Sequence, residues 1–229
     1  MNNHSSLGII FAAGGSSRRF GGGSKLFAEL NGKPVFIHSL QAMITPETPA
    51  VLVISREAEA DFREELARWG LEHVAVVIGG ASRSESVFNG LQALCALSSP
   101  PEYIAVHDAA RPLADRELLL SCLRAAEAGC DGAIAARKVT DTSHRTDEAG
   151  ILESTPPREA LWAAETPQLF TRTILCRAFS ELPWRENPPT DEAALAAALP
   201  GTRIRMVENS RPNPKITFQS DLSALRGII

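Results

Sequence analysis

The chain has 229 residues, 44% of them apolar and 22% charged, with a formal net charge of −4, which fits a globular protein of one large or two small domains and excludes a general attraction to nucleic acid or anionic membranes. Cys95, Cys122, Cys130 and Cys176 form no C-x-x-C pair, so they read as reduced core residues of a cytoplasmic protein rather than as metal ligands or disulfides. No apolar run approaches the roughly 20 residues of a membrane span, and the polar start MNNHSS lacks the pattern of a signal peptide.

The first predicted element is a buried strand, Leu7 to Ala13, which breaks into glycine and serine. Pro34 suits the first turn of a helix whose apolar side is Val35, Ile37, Leu40, Ala42 and Ile44. A strand is predicted at Ala50 to Ser55 and a helix at Glu57 to Trp69, stopped by Gly70. The next strand, His73 to Ile78, ends at Gly79 and Gly80. Ser82 to Glu85 then has the Ser-x-x-Glu spacing of a capping box, opening a helix with Val87, Leu91, Leu94 and Leu97 on one side. Tyr103 to Val106 is a fourth strand, Asp115 an N-cap for a helix through Ala128, and Gly132 to Ala136 a fifth strand. Continuous apolar strands alternating with helices predict an α/β fold, with a mostly parallel sheet covered on both faces.

From Arg137 the alternation fails. Short β-branched segments around a turn at Asp147 to Gly150 read as two antiparallel segments, roughly Val139 to Thr155, projecting from the body. Such a hairpin is marginal alone and calls for a partner surface, most simply a second copy of the chain. Helices are predicted at Arg172 to Glu181 and, capped by Thr190, at Asp191 to Leu199. Strands at Arg203 to Glu208 and near Lys215 to Phe218 precede a closing helix, Gln219 to Gly227. With no repeat and no long linker, the chain reads as one domain over 1–229 with an arm at about 138–158. Arg137, Lys138 and Arg145 read as solvated arm charges, and Trp162 and Phe170 as core.

Three predicted strand ends carry polar residues: Gly14 to Arg19, Gly79 to Ser86 and His107 to Arg111. A parallel sheet binds ligands outside its carboxyl strand ends, so the fold class gathers these segments. The glycine-rich turn offers backbone N–H groups to an anion, with Arg18, Arg19 and Lys25 adding positive charge. It is neither a P-loop nor a dinucleotide fingerprint, and alone it reads equally as a solvated surface turn. Asp108 at a strand end suits Mg²⁺, which takes one or two carboxylates and fills its octahedron with water and phosphate oxygens; alone it reads equally as a turn or cap residue. His107 reads as a structural hydrogen-bonding residue, and Arg111 as an anion ligand or the partner of a carboxylate.

Taken in order, AAGGSSRRFGGGSK, GGASRSES, HDAARP, TDT, LWAAETPQLF, TDEAA and NPKIT resemble the 2-C-methyl-D-erythritol 4-phosphate cytidylyltransferases of non-mevalonate isoprenoid biosynthesis, over nearly the whole chain. The resemblance implies a Rossmann-like three-layer nucleotidyltransferase fold. It implies that CTP and the methylerythritol phosphate are joined into a CDP-alcohol, with release of pyrophosphate and with Mg²⁺ as cofactor. It places Arg18, Lys25, Arg158 and Lys215 in catalysis, with Arg19 a neighbouring candidate for Arg18's role. It puts Ala12, Ala13, Gly14, Gly15, Arg19, Gly79, Gly80, Arg83, Ser86 and Ala109 on the nucleotide, and the metal on Asp108. It puts Arg111, Thr142, Arg158, Thr166, Thr190 and Lys215 on the methylerythritol phosphate. The arm is implied to exchange within a homodimer, so that Arg158 serves the partner's site. Ala81 departs from the acidic or polar residue usual after Gly-Gly, leaving base contacts there to the backbone. The alternatives are the same reaction on ribitol 5-phosphate, a sugar-1-phosphate nucleotidyltransferase that uses another nucleoside triphosphate, and a non-catalytic nucleotide-binding module.

Overall fold

β1 (Leu7–Ala12) is buried along its middle and pairs in parallel with a strand on either side. The computed structural model describes residues 6–227 except 16 and 22. In chain order the strands are β1, the two-residue β2 (Glu29–Leu30) and β3 (Lys33–Pro34), β4 (Ala50–Ile54), β5 (Ala75–Ile78), β6 (Tyr103–Asp108), β7 (Gly132–Lys138), β8 (Arg145–Thr146), β9 (Leu152–Ser154), β10 (Trp162–Thr171) and β11 (Ile204–Glu208). The helices are α1 (Val35–Met43), α2 (Glu59–Arg68), α3 (Arg83–Cys95), α4 (Arg116–Glu127), α5 (Arg172–Glu181), α6 (Glu192–Ala197) and α7 (Gln219–Leu225).

Seven strands form the main sheet in the order β11-β7-β10-β6-β1-β4-β5. All neighbours pair in parallel except β10, which runs antiparallel to both β6 and β7. Strand side chains alternate between faces. Ile9, Phe11, Leu52 and Ile54 enter the core shared with Phe36, Phe62, Leu119 and Leu222. Ile10, Val51 and Val53 enter the core shared with Val87, Leu91, Leu175 and Leu195. The result is three layers, with α1, α2, α4 and α7 on one face and α3, α5 and α6 on the other. Gly90 has no room for a Cβ, which would stand 2.7 Å from Ile10 Cγ2; α3 thereby packs tightly on the sheet.

Local chemistry ends these elements where expected in most places. Asp115 caps α4 by accepting from Leu118 N–H at 2.9 Å, and Gly70 takes φ +67° after α2. Three expectations are corrected. The cap of α6 is Asp191, not Thr190: Asp191 Oδ1 accepts from Ala194 N–H at 2.8 Å. Lys215 to Phe218 forms no strand; Ile216 N–H donates instead to Ala110 O at 2.9 Å, so the segment is a loop tied across the strand ends. Finally, residues 162–171, assigned to no element from the sequence, form the longest strand, β10. Its pairing skips between Ala164 and Gln168, which breaks the alternation that would have revealed it. Phe170 is fully buried as expected, whereas Trp162 is half-buried beside Lys138.

Within residues 139–155 the expected antiparallel pairing is present. β8 and β9 pair antiparallel, and Asp147 Oδ1 accepts from Ala149 and Ile151 N–H to close the turn. Ile151 and Leu152 are 64% and 58% exposed. The four cysteines are free, and the Sγ atoms of Cys95 and Cys176 lie 3.7 Å apart.

Candidate functional site

The chain runs outward from β1 through β4 to β5, then α3 carries it back across β1 to β6. A crevice opens where strand order reverses, because the loops after the two flanking strands leave to opposite sides. Ala12 and Asp108 are register partners at that point. A cleft of about 350 Å³ lies there, within the usual range for a small-molecule site. Ala12, Ala13, Gly14, Gly15, Lys25, Gly80, Arg83, Ser86, Asp108 and Lys215 line it, joined by Ala81 and Ser82, noted in the sequence as a departure from the motif and as a helix cap, and by Leu26 and Ala110, which sequence reasoning did not single out.

The turn after β5 is shaped by packing. A Cβ on Gly79 would stand 2.6 Å from Ser86 Oγ. That hydroxyl accepts from Gly80 N–H at 3.2 Å and donates to Ser82 O at 2.9 Å. Ser82 caps α3 through Glu85 N–H, while Glu85 Oε2 accepts from Ala81 N–H at 2.8 Å. The predicted box therefore forms with its return bond one residue early. It holds Arg83 at the helix start, facing the cleft.

Asp108 is the electrostatic centre. Its Oδ2 lies 2.8 Å from Lys215 Nζ and 3.7 Å from Arg111 Nε, and its Oδ1 lies 3.5 Å from Arg83 Nη2. Burial alone would raise its pKa; Lys215, then Arg83 and Arg111, more than reverse this and hold the carboxyl well below the usual carboxylate range. Lys25 Nζ donates to Ile216 O at 2.9 Å. Burial, then repulsion from Lys215, lowers the Lys25 pKa. Two lysines from opposite ends of the chain thus face one cleft, and their mutual repulsion favours an anion between them.

The Lys215 loop is held from beneath. Asn213 Nδ2 donates to Glu165 Oε2 and Thr166 O, both at 3.0 Å, and Asn209 Nδ2 donates to the same Glu165 oxygen at 2.9 Å. Arg111 Nη1 donates to Asn213 O at 2.6 Å. Arg137, read as a solvated charge, is exposed as expected and also pairs at 2.8 Å with the buried Glu165. No sequence signal marked Glu165 or Asn213 as a hub, because the contacts span more than 40 residues.

His107 is fully buried, and burial lowers its pKa to about 4. Its Nε2 faces Arg111 O at 3.2 Å, which only accepts, so the neutral ring carries its proton there. Nδ1 then accepts from Thr166 Oγ1 at 2.9 Å, and Thr166 Oγ1 accepts from Asp108 N–H at 3.1 Å. Thr166 thus positions Asp108 by way of its backbone. The unfolded value of 6.5 lies above the folded one, so this contribution to stability is complete above pH 6.5 and is lost as pH falls toward 4. We expect the drop from pH 7 to pH 4.5 to cost about 2–3 kcal/mol through this residue. Denaturant titrations of the wild type and His107→Asn should differ by that amount in pH dependence; parallel profiles would remove His107 as its source.

Other predicted residues lie elsewhere. Thr142 and Arg158 are exposed at the arm, where Arg158 Nη1 donates to Thr140 O at 3.3 Å, and Thr190 is exposed before α6. None of the three lines the cleft. Gly79 lines an adjoining hollow, Ala109 is buried beneath the cleft floor, and Arg19 is exposed on a short 3-10 turn. The side chain of Arg18 lies outside the described part of the structure.

No group of three or more His, Cys, Asp or Glu among the described residues could hold a metal alone. A lone cleft carboxylate, Asp108, still fits Mg²⁺ when phosphate oxygens and water supply the other ligands.

A family model described as IspD, 2-C-methyl-D-erythritol 4-phosphate cytidylyltransferase, matches residues 7–229. A protein of that name from Trichormus variabilis is 37% identical over 225 residues, covering 96% of both chains. One from Stenotrophomonas maltophilia is 36% identical, covering 96% of this chain and 95% of that protein. The crystal structure of 4-diphosphocytidyl-2C-methyl-D-erythritol synthase from Anaerococcus prevotii superposes with a TM-score of 0.80 at 26% identity, covering 99% of each chain. The Thermus thermophilus 2-C-methyl-D-erythritol 4-phosphate cytidylyltransferase gives 0.76 at 26% identity, over 97% and 98%.

Proposed function

The chain belongs to the 2-C-methyl-D-erythritol 4-phosphate cytidylyltransferase family, and from that membership and the cleft's geometry we propose how it joins CTP to 2-C-methyl-D-erythritol 4-phosphate. The observation that carries the reading is the meeting of Lys25, Arg83, Asp108 and Lys215, from four separate segments, around one cleft at the strand-order reversal.

An oxygen of the substrate phosphate attacks the α-phosphorus of CTP. A new P–O bond forms, the α–β anhydride bond breaks, and pyrophosphate leaves. The nucleophile is already ionised near neutral pH, so no general base is needed. Lys25 and Lys215 face the cleft to offset charge that grows on nonbridging and leaving oxygens. Backbone at Ala12 to Gly15 and Gly79 to Ser86 receives the nucleotide, with Arg18 or Arg19 on its phosphates. Asp108 would hold Mg²⁺, which supplies further neutralisation of phosphate charge. The resemblance gives Arg111 and Thr166 to the acceptor; Arg111 pairs with Asp108 at 3.7 Å and the buried Thr166 holds its backbone.

The arm's exposed Ile151 and Leu152 fit a homodimer in which Thr142 and Arg158 reach the partner's acceptor site. Replacing both apolar residues (Ile151→Asp with Leu152→Asp) should shift sedimentation to monomer and lower turnover about tenfold or more. A dimer of unchanged stability would remove the arm from the interface. No helix among the described residues is long and apolar enough to cross a membrane, and we place this one-domain enzyme in the cytoplasm.

The test is pyrophosphate release from each of four nucleoside triphosphates with methylerythritol phosphate or ribitol 5-phosphate. Release with CTP and methylerythritol phosphate alone is expected. Preference for ribitol 5-phosphate would reassign the acceptor, and no release with any pair would leave a nucleotide-binding module.

A further inference from the structure

Glu192 is the first residue of α6, 1% exposed, and absent from every role assigned above. Burial raises its pKa against the opposing pull of Arg83. Both its carboxylate oxygens accept from Arg83 Nη1, at 2.7 and 2.8 Å. Arg83 Nη2 is turned the other way, 3.5 Å from Asp108 Oδ1. One guanidinium is therefore shared between two carboxylates, with Glu192 the closer.

Glu192 is itself held rigidly. The neighbouring Asp191 caps α6, and its second oxygen accepts from Gln168 Nε2 at 2.8 Å. Gln168 Oε1 in turn accepts from Ala193 N–H at 3.2 Å. The residues on either side of Glu192 are thus pinned to β10, and the carboxylate cannot follow Arg83 if the latter moves.

We propose that Glu192 is a positioning residue for nucleotide binding: it anchors Arg83 at the mouth of α3 and keeps the guanidinium from closing onto Asp108. Asp108 already meets Lys215 at 2.8 Å, Arg83 at 3.5 Å and Arg111 at 3.7 Å. Without a charged anchor on its other side, Arg83 is free to shorten that 3.5 Å contact into a full ion pair. That closure takes a cleft-lining cation away from the nucleotide and covers the carboxylate assigned to Mg²⁺. The inference rests on the proposed use of the cleft for CTP.

The test is a cycle of wild type, Glu192→Gln, Arg83→Gln and the double variant, with CTP affinity read by calorimetry and kcat and KM read by pyrophosphate release. Glu192→Gln should weaken CTP binding about tenfold and raise its KM by the same factor, in line with one misplaced charged hydrogen bond. kcat should fall by less than KM rises. Because Glu192 acts through Arg83, the double variant should bind CTP no more than about twofold worse than Arg83→Gln alone. CTP binding by Glu192→Gln equal to wild type, or losses that multiply in the double variant, would overturn the proposal. If Glu192→Gln does not fold, Glu192→Asp keeps the charge at shorter reach and should give a smaller KM increase; an unchanged KM there is equally decisive against it. Failure of wild-type enzyme to bind CTP would instead refute the function on which the cycle is built.

Discussion

Replacing Lys25 by alanine is expected to lower kcat at least about 100-fold while changing the KM for CTP much less, the range seen when a donor to a developing oxyanion is lost. The ammonium sits in the cleft on a tether: among the described residues its hydrogen bond goes to Ile216 O at 2.9 Å. Burial and the nearby Lys215 already disfavour its charge. An arriving triphosphate relieves that repulsion, and the growing negative charge of the transition state relieves it further. Binding energy is thus largest where the reaction needs it. Lys25 is half-buried and makes no ion pair with an acidic side chain among the described residues, so its loss should leave the fold intact by circular dichroism. Lys25→Arg keeps the charge with a different reach and should recover part of the rate. Near-normal turnover by Lys25→Ala would take this lysine out of the reaction.

The second large effect is expected at Asp108. Asp108→Asn should lower kcat/KM about 1,000-fold, without recovery on raising Mg²⁺, and should also lower the melting temperature by about 3–8 °C. The two losses have separate causes. The amide cannot offer a metal the charge that a carboxylate does, and it leaves Lys215, Arg83 and the mostly buried Arg111 without a common counter-ion. The backbone N–H bond from Asp108 to Thr166 is untouched by the change, so the strand end should keep its place. A crystal structure of the variant with Lys215 still in the cleft would show that the rate loss is electrostatic. Activity within a few fold of wild type would refute the metal assignment.

How much of this was readable from the chain alone follows the range of the interactions. Buried strands are short apolar runs and helices carry a repeating apolar side, so β1, β4, β5, β6 and β7 and most helices could be placed from neighbours a few residues apart. The glycine-rich turn, Ser82, Asp108 and Asp115 were equally visible, because strand ends and caps use local chemistry. Once a parallel sheet is implied, convergence of the strand-end residues follows from the fold class, and the cleft residues from Ala12 to Asp108 bear this out.

What the amino-acid order determined, then, was the alternation of elements and the residue types at the strand ends. Tertiary structure alone decided the rest. Only pairing with β6 and β7 makes residues 162–171 a strand, and it runs against its neighbours with a break that hides its period. Only long-range partners, the buried Glu165 with Ala110, Arg111 and Thr166, explain why the Lys215 segment is a tied loop, and Glu165 gives Arg137 its partner. Only the docking of α6 brings Glu192 to Arg83 across 109 positions. Such contacts join groups whose separation along the chain leaves no periodic trace, and their energy exists only after the sheet has assembled.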